Sequence, residues 1–296
     1  MKRAQPVLKP HLLASVALFV CSIIWGITFV VVGRALADVG VFPFLAARFG
    51  LAALVMAVVS QQDLRQLSKA QIARGAGIGA FMFAGYVFQT AGLAYTTPSK
   101  AAFVTGFSVV LVPVLAAIAW RLHTNAWVCT GALAALLGLY YLTVPAQGFA
   151  ALNFGDALEL LCAVMFAFHI LFIGRYGSGF SPRALSFLQI ATTGALSLAA
   201  LPLLAATRRS SVRFHLSVSL AVAIGATAVL ATVFAFSLQI WAQRHTTATN
   251  TALLLALEPI FATITSFFAF GERLGARTFL GGALILAGIA LVELKG

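Results

Sequence analysis

Charge is scarce in this 296-residue chain: Asp, Glu, Lys and Arg together make up 9% of it, and only 7 residues are acidic. Soluble domains carry about 25% charge, so a water-soluble enzyme is excluded. Disorder is excluded as well, because disordered chains are rich in charge and poor in apolar residues. Cysteine is scarce too. Cys21, Cys129 and Cys162 are odd in number, lie in apolar stretches and form no CxxC pair, which removes a disulfide framework and a structural zinc site. The chain has no GxxxxGK[ST] loop, no HExxH and no GxSxG. ATP hydrolysis by a P-loop, zinc proteolysis and serine-elbow hydrolysis therefore have no motif to rest on. No metal and no cofactor are expected.

Apolar sequence is abundant: 61% of the residues are hydrophobic and the mean hydropathy is +1.02. An excess of that size exceeds a single anchor and describes a polytopic membrane protein. A helix crossing the hydrocarbon needs about 20 residues, so ten crossings use about 200 and leave roughly ten for each connection and tail. The apolar segments predict helices over 12–33, 41–60, 72–94, 98–120, 126–144, 155–174, 183–206, 216–240, 247–270 and 276–294. Polar or helix-breaking stretches such as QQDLRQLSK, TTPSK, RYGSGFSP and TRRSSVRFH separate them. The first segment imitates a secretory signal, with Lys2, Arg3 and Lys9 before it and Ala35-Leu36-Ala37 after it. Its run from Leu12 to Gly33 is longer than the about 7–15 residues of a signal core, so it reads as a retained span.

The formal charge of +12 has to sit in short loops and tails, where it faces cytoplasm and anionic lipid rather than nucleic acid. With the N-terminus inside, the inner side of the first half holds Lys2, Arg3, Lys9, Arg65, Lys69, Arg74 and Arg121, against Arg34 and Lys100 outside. The second half is nearly balanced, with Arg175, Arg183, Arg244 and Lys295 inside and Arg208, Arg209, Arg213, Arg273 and Arg277 outside. Early helices usually dominate topology. The expectation is a multi-pass protein of a bacterial-type inner (plasma) membrane with both termini cytoplasmic.

The chain repeats itself. QTAGLAYTT (Gln89–Thr97) returns as QIWAQRHTT (Gln239–Thr247), a shift of 150, and the same shift carries Gly131 and Gly138 onto Gly281 and Gly288. At a shift of 141, Gly33-Arg34 falls on Gly174-Arg175 and Arg48 on Gln189. The difference predicts a longer connection between helices seven and eight. A five-helix unit has an odd number of crossings, so its second copy enters the membrane upside down. The expected fold is an all-α membrane protein whose ten transmembrane helices form two inverted five-helix repeats. Its parts are a tail 1–11, a first repeat 12–144, a connecting loop 145–154 and a second repeat 155–296. Inverted repeats are the architecture of alternating-access carriers, with the substrate site near the midplane between the halves.

WGITFVVVGRAL, FLAARFGLAALV, GLAYTTPSKAAFVTGFSVVLVPVLAA, the stretch from LQIWAQRHTT to FFAFGERL and the closing GGALILAGIALVE together resemble the drug/metabolite transporter superfamily, EamA-type branch. The likeness spans nearly the whole chain, and Glu258-Pro259 and Gly271-Glu272-Arg273 are its most specific parts. It implies ten helices in two inverted repeats, cytoplasmic termini, and movement of small metabolites, often outward. One departure stands out: WRLHTN after the fourth helix has no acid where FGERLGA after the ninth has one.

Charged side chains deep in a span cost about 2.5–3.5 kcal/mol on insertion scales and persist where they face a cavity or a partner. Arg48 lies about 10 Å into its helix at 1.5 Å per residue; it either holds a substrate carboxylate or phosphate or ties helix ends together. Glu258 precedes Pro259, which weakens the helix locally. The acid either binds a proton or a substrate ammonium group, or stabilises the kink. His169 either shuttles protons or bonds across helices. Glu159, early in helix six, is expected in a wetted vestibule. Gln89 and Gln239 occupy equivalent places in the repeats; paired amides suit a zwitterion and equally suit interhelical bonding. Trp25, Phe81, Tyr86, Phe166 and Trp241 are aromatic bodies near these groups. The candidate substrate site is Trp25, Tyr86, Gln89, His169, Gln239 and Glu258, with Arg48 and Glu258 as coupling or structural charges. GAGIGA (Gly75–Ala80) and GGALILAG (Gly281–Gly288) read as helix-packing or dimer faces.

The expected function is a secondary, non-ATP transporter that exports a small polar or amphipathic metabolite such as an amino acid by alternating access. Its partners are that solute and the bilayer, with proton coupling and a homodimer both open and no nucleic acid. A membrane-embedded enzyme or a helical scaffold is the alternative.

Overall fold

A computed structural model of the chain describes residues 10–121, 125–144, 153–207, 213–271 and 275–295. Lys2, Arg3, Lys9, Arg208, Arg209, Glu272 and Arg273, most of the connecting loop, and the middle of RLHTN lie outside the described residues.

Among the described residues ten long helices follow one another, with one short turn of helix at Gln61–Leu64 between the second and third: α1 (Pro10–Ala35), α2 (Val41–Val59), α3 (Lys69–Leu93), α4 (Pro98–Trp120), α5 (Ala126–Thr143), α6 (Phe154–Tyr176), α7 (Pro182–Thr207), α8 (Val218–Ala242), α9 (Ala248–Phe270) and α10 (Ala276–Lys295). Eight are long and apolar enough to cross a membrane, and α5 and α10 are shorter apolar helices. The described residues hold no strand, only a single antiparallel bridge between Val39 and Phe214. Large apolar side chains such as Val58, Val218 and Phe268 stand exposed, as the lipid face of a bundle requires.

Helix starts follow from the capping residues. Ser68 with Gln71, and Asn153 with Asp156, form reciprocal capping boxes that satisfy amide groups otherwise left over in the first turn. Thr97 and Thr247, related by the 150-residue shift, cap α4 and α9 by accepting from Lys100 N and Asn250 N. The two helices also end alike: Arg121 and Gly271, again 150 apart, take left-handed backbone with φ of 52° and 70°. A glycine adopts that conformation freely, whereas Arg121 does so at a cost of about 1–2 kcal/mol.

Both helices are broken at matching places. α4 runs as Pro98–Gly106 and Ser108–Trp120 around Phe107. α9 runs as Ala248–Leu255 and Glu258–Phe270 around Ala256 and Leu257. Pro259 explains the second break, since it has no amide to donate and its ring clashes with the preceding turn. α4 has no proline at that point, so the repeat conserves the break and not its cause.

The packing has the symmetry of an inverted repeat. α1 packs on α8 and α9 as α6 packs on α3 and α4, while α2 packs on α7 and α5 on α10. Exchanging the halves maps the first two pairings onto each other and each of the last two onto itself. In the α5–α10 contact, a Cβ on Gly131 would lie 2.7 Å from Gly288 O and one on Gly138 2.6 Å from Gly281 O. Rising numbers on one helix meet falling numbers on the other, so the two run antiparallel. The glycines of GGALILAG thus pack within the chain. Gly75 and Gly79 of GAGIGA do the same, with a Cβ on Gly79 only 2.8 Å from Gln189 Cα of α7, whereas Gly77 between them faces open space.

The longer connection expected between α7 and α8 is not the source of the extra residues: α7 itself has 26 residues against 19 in α2, and the described part of the connection, from Arg213 to Ser217, lies against the turn from α1 to α2. Gly40 N donates to Arg213 O at 2.9 Å, His215 N to Asp38 O at 3.0 Å, and Arg213 Nη2 to Leu36 O at 2.6 Å. The end of the bundle that carries this contact is called the upper end below.

Candidate functional site

A cavity open to solvent, with about 750 Å³ of empty space including its mouth, lies where the broken helices meet the rest of the bundle. Trp25 of α1, Arg48 of α2, Tyr86 and Gln89 of α3, His169 of α6, Gln239 of α8 and Glu258 of α9 all line it. Both breaks open onto it, through Thr105, Gly106 and Ser108 on one side and Leu255 and Glu258 on the other. Each break starts a new helical segment, and unpaired amide groups at such a start favour negative charge. α1 passes close to the α9 break because residue 26 is glycine: a Cβ there would lie 2.6 Å from Glu258 O.

Arg48 is 2% exposed. Its Nε donates to Thr232 Oγ1 at 2.9 Å and its Nη2 reaches Tyr86 Oη at 3.4 Å. The guanidinium also lies 4.7 Å from the centre of the Tyr86 ring and 5.1 Å from that of Phe49. Among the described residues no carboxylate lies within 4.0 Å of it. Glu258 has neither a hydrogen-bond partner nor an ion-pair partner among the described residues. The cavity therefore holds a guanidinium and a carboxyl group that do not pair with each other.

The two glutamines are also open. Gln239 is 1% exposed and its Oε1 has no partner, and the Gln89 side chain bonds no described residue. Interhelical bonding, one of their two expected roles, is absent from this arrangement. His169 differs: its Nε2 donates to Gln189 Oε1 at 2.5 Å, so the repeat counterpart of Arg48 positions the imidazole. In a neutral ring that leaves Nδ1 as an acceptor.

Sequence reasoning missed a π-helical stretch, Thr227–Phe234, in the middle of α8. A π turn shifts the hydrogen-bond register and exposes carbonyl groups. Trp25 Nε1 donates to Ala231 O at 2.7 Å, and Cys21 Sγ donates to Ala235 O at 3.3 Å. Thr232 Oγ1 donates to Thr227 O at 2.9 Å while accepting from Arg48. The register shift thus fixes both Trp25 and Arg48, and TAVLATVF carries no local signal for it.

The aromatic expectations divide. Trp25, Tyr86 and Phe166 line the cavity together with Phe29 and Phe236. Phe81 instead packs against Phe168 and Phe172, and Trp241 against His245. The vestibule expected around Glu159 is corrected: the residue is fully buried, because Gly92 of α3 and Thr105 of α4 close over it.

The cavity is lopsided along the bundle. It reaches Val32 and Leu93 near the upper ends of α1 and α3. Their repeat counterparts, Ile173 and Gln243, do not line it. Gln243 Nε2 instead donates to Ile170 O at 3.0 Å, joining α8 to α6 below the cavity. Among the described residues no three His, Cys, Asp or Glu side chains come together as a metal site would require.

Comparison with known proteins gives a consistent result. Residues 12–144 and 153–294 each match the EamA-like transporter family. A protein of Archaeoglobus fulgidus named as an uncharacterized transporter is 32% identical over 285 residues, covering 96% of this chain and 87% of its own. A second uncharacterized transporter of the same organism is 27% identical over 156 residues, about half of each chain (53%). A protein of known crystal structure shares the fold with a TM-score of 0.76 at 19% identity, over 95% of this chain and 96% of that one.

Proposed function

The chain belongs to the EamA-like transporter family and is a multi-pass membrane transporter, and from that premise we propose that its cavity carries a small zwitterion with an apolar side chain, an amino acid, outward by alternating access. The unpaired Arg48 and Glu258 in one cavity carry this reading. A guanidinium is matched to a carboxylate and a carboxylate to an ammonium group. A ligand bearing both satisfies the two sites without leaving a buried charge bare. Gln89 and Gln239 supply further donors and acceptors, and Trp25, Tyr86, Phe166 and Phe236 form an apolar wall.

The two halves rock about the cavity, with the breaks at Phe107 and at Ala256–Leu257 as hinges. Opening the lower end separates Gln243 from Ile170. Closing the upper end brings together their counterparts, Leu93 and Phe29. The termini are on the cytoplasmic side of a bacterial-type inner membrane, so the lower end, with Arg65, Arg74, Arg175 and Arg183, faces the cytoplasm in accord with the positive-inside rule.

Thermal stability of the purified protein against a panel of solutes tests the proposal, since a specific ligand raises stability by mass action. L-phenylalanine is expected to stabilise it, and phenethylamine and phenylpropionate, each lacking one charge, to do so far less. Equal effects from all three would remove the zwitterion from the reading.

A further inference from the structure

Behind the cavity wall stands a second carboxyl group. Glu159 of α6 is fully buried; its Oε2 accepts from Thr105 Oγ1 at 3.0 Å, and its Oε1 has no partner. Thr105 lines the cavity at the α4 break, so one hydroxyl separates the acid from the solute path. On the far side, Gly92 of α3 makes the room: a Cβ there would come 2.7 Å from Glu159 Oε1.

The segments packed on α6 present titratable groups on this side. α6 itself carries Asp156 and Cys162, one turn to either side. α4 brings Lys100, whose Nζ is 2.6 Å from Asp156 Oδ2, so this cation is engaged by another carboxylate. The turn after α3 brings Tyr95, whose Cβ packs against Gly155, and α9 brings Glu258. Among the described residues no cation lies within 4.0 Å of the Glu159 carboxyl group. A bare carboxylate so enclosed has lost its hydration and gained no counter-charge, which a bound proton relieves.

We propose that Glu159 is a proton-carrying site connected to the cavity through the Thr105 hydroxyl, making transport proton-linked; this rests on the cavity being the transport site. In the neutral state Glu159 Oε2–H donates to Thr105 Oγ1, and Thr105 turns its own hydrogen toward the cavity. On release, Thr105 gives that proton to cavity water as it accepts the one from Glu159. Thr105 is unchanged, Glu159 becomes a carboxylate, and one proton leaves to the solvent that the cavity then faces.

Two measurements on the full-length protein test this. Infrared spectra at neutral pH read the carbonyl band of protonated carboxyl groups: Glu159→Gln is expected to remove intensity from it, and an unchanged band overturns the proposal. In proteoliposomes supplied with labelled L-phenylalanine, a one-unit pH gradient drives an accumulation of about tenfold by one-proton exchange. Glu159→Gln is expected to keep exchange at equal pH and lose the accumulation; accumulation equal to that of the unaltered protein overturns the proposal. If Glu159→Gln does not fold, Thr105→Val, which removes the relay at similar volume, is expected to lose the accumulation in its place. If the unaltered protein moves no phenylalanine and is not stabilised by it, the amino-acid reading fails, while the infrared measurement still decides whether Glu159 holds a proton.

Discussion

Replacing Gly26 with alanine tests whether α1 and the α9 break touch as closely as the cavity requires. The new methyl group would lie 2.6 Å from Glu258 O, 2.6 Å from Phe261 Cβ and 3.0 Å from Ala262 N. All three are backbone or Cβ atoms, so no rotamer change relieves the contact. Reaching an ordinary separation of about 3.4 Å or more means moving one helix by almost an ångström. Such overpacking costs about 1–3 kcal/mol, and the gain in helix propensity on leaving glycine returns about 1 kcal/mol. The net loss is therefore up to about 2 kcal/mol, with Glu258 displaced. Gly77→Ala is the matched control. It sits inside α3 with nothing within 4 Å of the new methyl group, so it is expected to stabilise by about 0.5–1 kcal/mol. Tryptophan fluorescence melts of both variants in detergent, with and without L-phenylalanine, give the comparison. Opposite shifts are expected, and the ligand is expected to protect Gly26→Ala least. A Gly26→Ala protein as stable and as well protected as the control would refute the close approach.

Arg48→Gln is expected to weaken phenylalanine binding about ten- to a hundredfold, the loss of a charge-assisted hydrogen bond worth about 1.5–3 kcal/mol; titration calorimetry measures it, and phenethylamine binding should hardly change. Gln243→Leu removes the donor to Ile170 O and is expected to favour the lower-open state. The readout is thiol labelling at Ala248→Cys in a Cys129→Ser background, and an unchanged labelling rate would count against Gln243 as a latch. Pro259→Ala is expected to make α9 more continuous, slowing exchange in proteoliposomes while leaving the melting temperature equal or higher. Faster exchange would show that the break does not serve as a hinge.

The helix count and the repeat were legible because both are written in composition and spacing, which packing does not alter. Thr97 and Thr247 could be paired by eye, and they turn out to cap equivalent helices. Pro259 announced the break in α9. The break at Phe107 has no such residue and is visible only once the two helices are superposed by the 150-residue shift. The π turn in α8 is beyond reach of the sequence, because the side chains that meet it, Trp25 on Ala231 O and Arg48 on the Thr232 hydroxyl, come from a distant part of the chain. Glu159 was misplaced for a related reason. Depth along a helix can be counted from its start, but what covers a side chain depends on neighbours such as Gly92 and Thr105. The seven residues chosen as a candidate site line one cavity, since polar groups in so apolar a chain have few places to go. Which of them are left unbonded could be read only from the structure.

The glycine contact between α5 and α10 maps onto itself when the two halves trade places. In the proposed alternating access, a contact with that property has the same energy whichever way the protein opens, so it can be made as tight as sterics allow without biasing the cycle. The preference for one opening over the other must then reside in pairs that do not map onto themselves. Gln243 with Ile170, against Leu93 with Phe29, is such a mismatch. On that proposal the molecule keeps a stiff pivot and tunes its resting state by a few side chains at its two mouths.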